Sequence, residues 1–236
     1  MVISSWLKLK LHRYFNLQCP LCGLNIEEPT PETRWCKHCL NSMSDPCRCQ
    51  CCGLPTLEPV EFCGECLSNP PPWRRLYCVN DYRPPLSHYI HSLKFQHQFR
   101  LAPDLSYLLA QKIAEPADVI TSVPLHWRRE LIRGYNQSDH LARALCQHLN
   151  MPERFNPNLF KRVKYTAPQL GQDKKARHRN LYGAFRLIAP PAAKHVAIVD
   201  DVVTTGSTIR QMCNLLLDVG VETIDIYCIC RTPEPK

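Results

Sequence analysis

After residue 72, short apolar runs alternate with stretches whose apolar positions recur every three or four residues. Leu76–Val79, Val119–Val123, Val196–Val199 and Ile224–Ile229 have the length and apolar content of buried strands. Amphipathic helical patterns lie near 85–95, 103–114, 137–149 and 207–218. Strands separated by helices need crossover connections, which predicts an α/β domain on a mostly parallel sheet. In such sheets ligands bind beyond the carboxyl ends of the strands.

The first 72 residues lack this alternation. Asn69-Pro70-Pro71-Pro72 is a stiff extended stretch that continues neither a helix nor a central strand, so domains are expected over 1–72 and 73–236. Leu7, Leu11, Tyr14 and Phe15 share one helical face, predicting a short amphipathic N-terminal helix. Lys8, Lys10, His12 and Arg13 interrupt the opening apolar positions, so neither a secretory signal nor a membrane span is expected. The compartment this implies is the cytoplasm.

Cysteine usage changes the picture of the first domain. Ten of the 15 cysteines lie between Cys19 and Cys66, too dense for an ordinary apolar core. Without a secretory signal, such crowding points to metal ligands rather than disulfides or free thiols. An internal repeat organises them. Cys19-Pro-Leu-Cys22-Gly23-Leu24 is echoed by Cys49-Gln-Cys-Cys52-Gly53-Leu54, and Cys36-Lys-His-Cys39-Leu40 by Cys63-Gly-Glu-Cys66-Leu67. Of the crowded Cys47, Cys49, Cys51 and Cys52, only Cys49 with Cys52 keeps the register of the first unit.

The candidate ligands of two structural Zn²⁺ ions are therefore Cys19, Cys22, Cys36, Cys39, Cys49, Cys52, Cys63 and Cys66, a double zinc-ribbon-like module. Sequential and interleaved pairing both satisfy the spacing. Four thiolates leave no open coordination position, so the expected role is folding rather than catalysis. Cys78, Cys146, Cys213, Cys228 and Cys230 read as core thiols. His88 and His91, one helical turn apart near Lys94, read as solvated histidines before they read as a metal pair.

The net charge of +8 is unevenly placed. Residues 1–72 carry six Lys/Arg against seven Asp/Glu, and residues 73–236 carry 23 against 14. A Cys₄ zinc site adds −2, so any anion-seeking surface belongs to the second domain.

The sharpest chemistry lies in VAIVDDVVTTGST, Val196 to Thr208. A buried strand runs into Asp200 and Asp201, and a hydroxyl-rich turn then opens a helix. Free N–H groups and the helix dipole at that N-terminus favour a phosphate. Thr204, Thr205, Ser207 and Thr208 add donors, and Gly206 permits close backbone approach. No Gly-Lys-Ser/Thr follows, so this is not a nucleoside-triphosphatase loop. Paired acids beside a phosphate seat suit a ribose 5-phosphate, with or without Mg²⁺. The bland alternative, a capped strand-to-helix turn, leaves two consecutive carboxylates beside a core strand unexplained.

The stretch resembles the phosphoribosyl-pyrophosphate (PRPP) signature of type I phosphoribosyltransferases. Val123-Pro124-Leu125-His126 followed by Arg133-Gly134-Tyr135-Asn136-Gln137 is similar to a segment of the ComF/GntX family, as are Gln169, Arg177 and Asn180-Leu181-Tyr182-Gly183-Ala184-Phe185. The cysteine-rich module belongs to that group too, so the resemblance covers nearly the whole chain. It implies that Asp200 and Asp201 bind the ribose hydroxyls and that Val199 with Thr204–Thr208 cradles the 5′-phosphate. It further implies that the turn at Val123 and Pro124 meets pyrophosphate, near Arg128, Arg129 and Arg133.

Lys161–Arg179 holds seven Lys/Arg against Asp173 alone, the composition of a cationic hood or of a solvated loop. Lys174, Lys175 and Arg177 are the candidates to cover pyrophosphate; with Arg133, Asp200 and Asp201 they complete the expected catalytic set. Asn136 is alternatively a helix cap.

The family resemblance implies a role in DNA uptake or use of DNA as a nutrient, beside other DNA-uptake proteins. Two readings follow: a phosphoribosyltransferase with an unassigned acceptor, or a non-enzymatic factor binding single-stranded DNA with a vestigial or sensory PRPP site.

Overall fold

The computed structural model describes residues 18–26, 35–43, 47–164 and 183–232. The expected N-terminal helix, with Leu7, Leu11, Tyr14 and Phe15, lies outside them, as do Gln169, Lys174, Lys175, Arg177 and Asn180–Tyr182. The chain forms two compact units, Met1–Asp45 and Pro46–Lys236. Compactness thus groups the second cysteine repeat with the sheet.

The first unit holds a knuckle closed by the bridge Gln18↔Asn25 and a short helix α1, Lys37–Ser42. Gly23, at φ 73°, follows the second thiol of the knuckle; its N–H bonds the Cys19 carbonyl at 2.8 Å. Only a residue without Cβ takes this left-handed turn at no cost.

The second unit begins with the same knuckle. Cys49 N–H donates to Leu54 O at 2.9 Å and Gly53 N–H to Cys49 O at 2.8 Å, matching the bonds of Cys19 and Gly23 in the first copy. Helix α2, Gly64–Ser68, carries Cys66, with Cys63 at its N-cap. Strand β1 (Arg75–Asp81) follows, then α3 (Leu86–Phe95), α4 (Leu101–Ala110), β2 (Val119–Ser122), α5 (Trp127–Arg133) and α6 (Gln137–His148). A 3₁₀ turn at Pro152–Arg154 precedes β3 (Phe160–Arg162), β4 (Phe185–Leu187), β5 (His195–Val203), α7 (Ser207–Leu217) and β6 (Thr223–Arg231).

Strands β1, β6, β5 and β2 pair in that order, all parallel, so their carboxyl ends share one edge. Ile198 of β5 pairs with Ile226 of β6 and with Thr121 of β2. On one face Val196, Ile198, Ile224 and Ile226 pack with Ile209, Met212 and Leu216 of α7 and with Phe160 and Phe185 of the β3–β4 hairpin. Helices α4 and α6 pack on each other and against the strands. Each edge strand is met at one point. Gln50 of the knuckle accepts the Leu76 N–H of β1 at 2.9 Å, and Ile120 of β2 accepts the Asn156 N–H at 2.8 Å.

The expected parallel α/β sheet is present, with three differences. Strand β5 does not end at the acids but runs on to Val203, because Val202 and Val203 still find partners in Cys230 and Arg231. Helix α4 starts two residues earlier than its pattern suggested, since Pro103 fits a first turn where its missing N–H costs nothing. Helix α5 and the β3–β4 hairpin were not expected. They are too short for periodicity to register, and α5 buries no residue. No helix among the described residues is long and apolar enough to cross a membrane.

Candidate functional site

The eight candidate cysteines form two groups, Cys19, Cys22, Cys36 and Cys39, and Cys49, Cys52, Cys63 and Cys66, the ligand atoms of each lying within 4.8 Å of one another. The pairing is sequential, not interleaved. A tetrahedron with metal–sulfur bonds of about 2.3 Å has edges of about 3.8 Å. The Cys22–Cys36, Cys52–Cys63 and Cys49–Cys66 sulfurs stand 3.7, 3.6 and 3.9 Å apart, so the donor set fits Zn²⁺. Backbone amides support the thiolates: Cys39 N–H points to Cys36 Sγ at 3.4 Å and Cys63 N–H to Cys49 Sγ at 3.2 Å. Cys47 and Cys51 belong to neither group.

Asp200 and Asp201 sit near the carboxyl end of β5, where adjacent positions meet different partners. Asp201 is 3% exposed, and its Oδ1 pairs with Lys94 Nζ from the last turn of α3 at 2.9 Å. Its Oδ2 is buried with no hydrogen-bond partner among the described residues. Burial works against the Lys94 charge, but the Asp201 and Asp200 charges outweigh it and hold the ammonium pKa above its usual value. Asp200 Oδ1 accepts from Ser138 Oγ of α6 at 3.2 Å and from the Asp201 N–H at 2.9 Å. Burial and the neighbouring Asp201 charge nevertheless push the Asp200 carboxyl up to about 7. Lys94 pulls the other way. Arg162 of β3 adds a further charge. Burial and Arg129 push its guanidinium down to about 10, with Asp200 opposing the shift.

Beyond β5, Thr204 and Thr205 are exposed, and Gly206 at φ 72° is the N-cap of α7. As a glycine, this N-cap offers no side-chain cap. Thr205 and Ser207 share a hydrogen bond between their hydroxyls, and Thr205 Oγ1 accepts the Ser207 N–H at 3.4 Å. The first turn therefore presents amide donors and the positive end of its dipole to the same edge as the acids. Trp73 closes the other side: a Cβ on Gly206 would lie 3.1 Å from its ring. Gly206→Ala is expected to lower folding stability by about 1–3 kcal/mol, since it adds that contact to a left-handed backbone. Urea midpoints of the two proteins check it.

The turn after β2 comes to the same edge. Val123 N–H bonds Val199 O at 2.9 Å, placing Val123 and Pro124 beside β5. Asn136 caps α6 through Oδ1 to the Ser138 N–H at 3.1 Å, while its Nδ2 donates to Val123 O at 3.1 Å and to Asp139 Oδ1 at 2.9 Å. One residue thus caps the helix and ties the Val123 turn to it. Arg133 goes elsewhere. Its Nη1 bonds Gln137 Oε1 at 3.1 Å and its guanidinium lies over the Phe95 ring, 5.0 Å from the centroid. None of its described contacts reaches Asp200 or Asp201. Lys174, Lys175 and Arg177 lie outside the described residues.

Lys94, Ser138 and Arg162 went unassigned in the sequence reading. A cation closing an otherwise apolar helix face and a serine two residues after a helix cap were the available signals; for Arg162 the only one was its place in the Lys161–Arg179 cationic run.

Residues 140–236 match the phosphoribosyl transferase domain model. Over 225 residues the chain is 40% identical to "DNA utilization protein YhgH" of Salmonella typhimurium and to its namesake in Escherichia coli K12, covering 91% of this chain and 96% of each relative. Over 229 residues it is 34% identical to "Competence protein F" of Haemophilus influenzae, covering 92% of this chain and 98% of that protein. The chain belongs to the ComF/GntX family. Its parallel sheet is the type I phosphoribosyltransferase fold. The matched segment supplies β3–β6 and the acid pair of this ComF/GntX chain, whereas Lys94, Ser138 and both cysteine clusters come from the sequence before it.

Proposed function

We propose that this ComF/GntX chain binds PRPP with Mg²⁺ at the carboxyl edge of the sheet and works as a phosphoribosyltransferase in the use of DNA. The observation that carries the reading is the buried Oδ2 of Asp201, without a partner among the described residues, beside Asp200 and an α7 N-terminus whose cap is a glycine. A buried carboxylate oxygen without a partner is costly. Ribose hydroxyls, as donors, or a divalent cation would satisfy it, and the α7 N-terminus one turn away would receive the 5′-phosphate.

Transfer from C1 of PRPP passes through an oxocarbenium-like state as pyrophosphate leaves. The residues' work is then to hold the ribose, neutralise the leaving group and admit the acceptor. Asp200 and Asp201 take the hydroxyls, Val199 and Thr204–Thr208 the 5′-phosphate, and Val123 and Pro124 the pyrophosphate. Arg133, Lys174, Lys175 and Arg177 are assigned to the leaving group. Mg²⁺, when bound with PRPP, offsets the pyrophosphate charge. Zn²⁺ in each Cys₄ cluster is structural, and a cytoplasmic location keeps those thiols reduced.

Calorimetry with PRPP and Mg²⁺ tests the reading, and the pH dependence sharpens it. The carboxylate form of Asp200 accepts from hydroxyls or faces the cation, so affinity should rise as pH climbs towards about 7 and level off above it. Below that pH, binding should release protons, visible as heats that change with buffer. Stability without ligand runs oppositely. From about 4, the ordinary carboxylate range, to about 7 only the folded chain keeps the Asp200 proton, so stability falls as pH rises through that window. A wild type that binds no PRPP rejects the proposal.

One observation favours the non-enzymatic reading. Helix α5 exposes Trp127, Leu131 and Ile132, and Arg128 lies over the Trp127 ring, 5.2 Å from the centroid. Exposed aromatic and cationic groups suit single-stranded DNA, and relatives are named for DNA utilisation and competence. Other DNA-uptake proteins would be its partners. Salt-dependent binding of an oligonucleotide, weakened by charge reversal at Lys174, Lys175 and Arg177, would support it.

A further inference from the structure

The second cysteine knuckle and the phosphate loop share two side chains that neither site uses for chemistry. Arg231, the last residue of β6, is 7% exposed. Its Nε donates to the carbonyl of Cys52 at 3.0 Å, and its Nη1 to the carbonyls of Val203 at 3.2 Å, Thr232 at 2.7 Å and Thr204. Each described hydrogen bond of this guanidinium goes to a neutral carbonyl. An arginine buried among carbonyls needs negative charge near it. Cys52 is itself one of four thiols that carry −2 around a divalent ion.

Trp73 makes the second link. Its Nε1 donates to the Cys51 carbonyl at 2.8 Å, its ring lies against Gly206, and the Arg210 guanidinium of α7 lies over it, 5.6 Å from the centroid. Both ends of the loop, Thr204 and Gly206, are thereby buttressed from the carbonyls of Cys51 and Cys52.

The knuckle is a firm support only while its turn is held. Arg48 grips it from the strand side, with Nη1 on the Gly53 carbonyl at 2.7 Å and Nη2 on Asp81 Oδ1 at 2.9 Å. Gly53 sits so close to β1 that a Cβ would fall 2.5 Å from Leu76 Cδ2. Gly23, its counterpart in the first repeat, would meet nothing within 4 Å among the described residues. The second copy has therefore been fitted to the sheet. Backbone bonds close the turn itself; what holds it against the Cys63–Cys66 segment is the convergence of Cys49 and Cys52 with Cys63 and Cys66, which four like thiolates maintain only around a cation.

We propose that the second Cys₄ centre is a positioning element of the phosphate loop: Arg231 and Trp73 transmit the shape of the metal-held Cys51–Cys52 turn to Thr204 and Gly206, so that phosphate binding depends on metal at that centre. The proposal rests on the ligand reading above for its binding arm, but not for its structural arm.

Hydrogen exchange of peptides covering 199–212, metal content and PRPP titration with Mg²⁺ are measured on the full chain and on Arg231→Gln, Trp73→Phe and Cys63→Ser. Arg231→Gln should speed exchange of the loop amides about tenfold and weaken PRPP by a similar factor, roughly one charge-assisted hydrogen bond. It should keep two metals per chain and leave exchange in α4 and α6 as in wild type. Trp73→Phe, which loses both the indole N–H and the benzo edge that lies against Gly206, should loosen the same amides and keep two metals. Cys63→Ser should lose one metal and loosen the same peptides, and the Cys63→Ser/Arg231→Gln double variant should be no looser than the worse single one, because both act along one path. Loop exchange unchanged in Arg231→Gln overturns the proposal even if Cys63→Ser fails to fold, and so does full additivity in the double variant. A wild type that binds no PRPP would refute the ligand reading, while the exchange measurements would still decide the coupling.

Discussion

Asp201→Ala is expected to weaken PRPP by roughly 100-fold, the loss of two hydrogen bonds to a charged group. It should also destabilise the fold, by about 2–4 kcal/mol, because Lys94 would keep a mostly buried ammonium with its 2.9 Å partner gone. The two losses have different origins, and a second substitution separates them. Lys94→Met on top of Asp201→Ala removes the orphaned charge and fills the same space with an apolar stem. Stability should recover most of what was lost, and affinity should not recover. Lys94→Met alone should raise the Asp200 pKa further, since Lys94 now lowers it, and so move the pH dependence of binding upwards. Urea unfolding and PRPP calorimetry on the four proteins close the cycle. A double variant that regains binding would move the ligand away from Asp201.

Metal removal is the second large effect. Structural Cys₄ sites contribute roughly 10–16 kcal/mol of apparent binding free energy in isolated zinc modules, comparable to a typical domain's whole stability. The chain should contain two zinc ions, and Cys49→Ser or Cys66→Ser should reduce that to one. Cys47→Ser should change nothing, because Cys47 lies outside both groups. Cys51→Ser should keep both metals, although its thiol is buried against the second group. Elemental analysis with thermal unfolding reads all four. A count of two in Cys66→Ser would reassign the ligands.

How much of this could be read from the residues depended on length and repetition. The four strands and their helices declared themselves because each buried a run long enough to show its period. The cysteine repeat was legible because Cys-Gly-Leu recurs in register, which singled out Cys49 and Cys52 from two neighbouring thiols. Which pairs share a metal was not legible, since both pairings satisfy the same spacings and only the fold chooses. The acids and the loop were recognisable as a local signature, whereas Lys94 reaches Asp201 from a helix more than a hundred positions earlier. Such a contact leaves no trace in spacing. Arg133 is a case where only the backbone was legible. Its neighbours Gly134 and Asn136 do shape the turn beside β5, but the guanidinium itself turns to Gln137 and Phe95.

The bond from Leu76 to Gln50 has a consequence for the chain's behaviour in company. Strand β1 is the outermost strand of a parallel sheet, rich in Leu, Tyr, Cys and Val, and such an edge is a template for another chain's backbone. Here the knuckle covers that edge at Leu76, and the strand carries neither proline nor lysine. A chain that loses its second metal would therefore lose more than a local turn. It would uncover a ready-made pairing surface, and its route of failure would run through self-association as much as through unfolding.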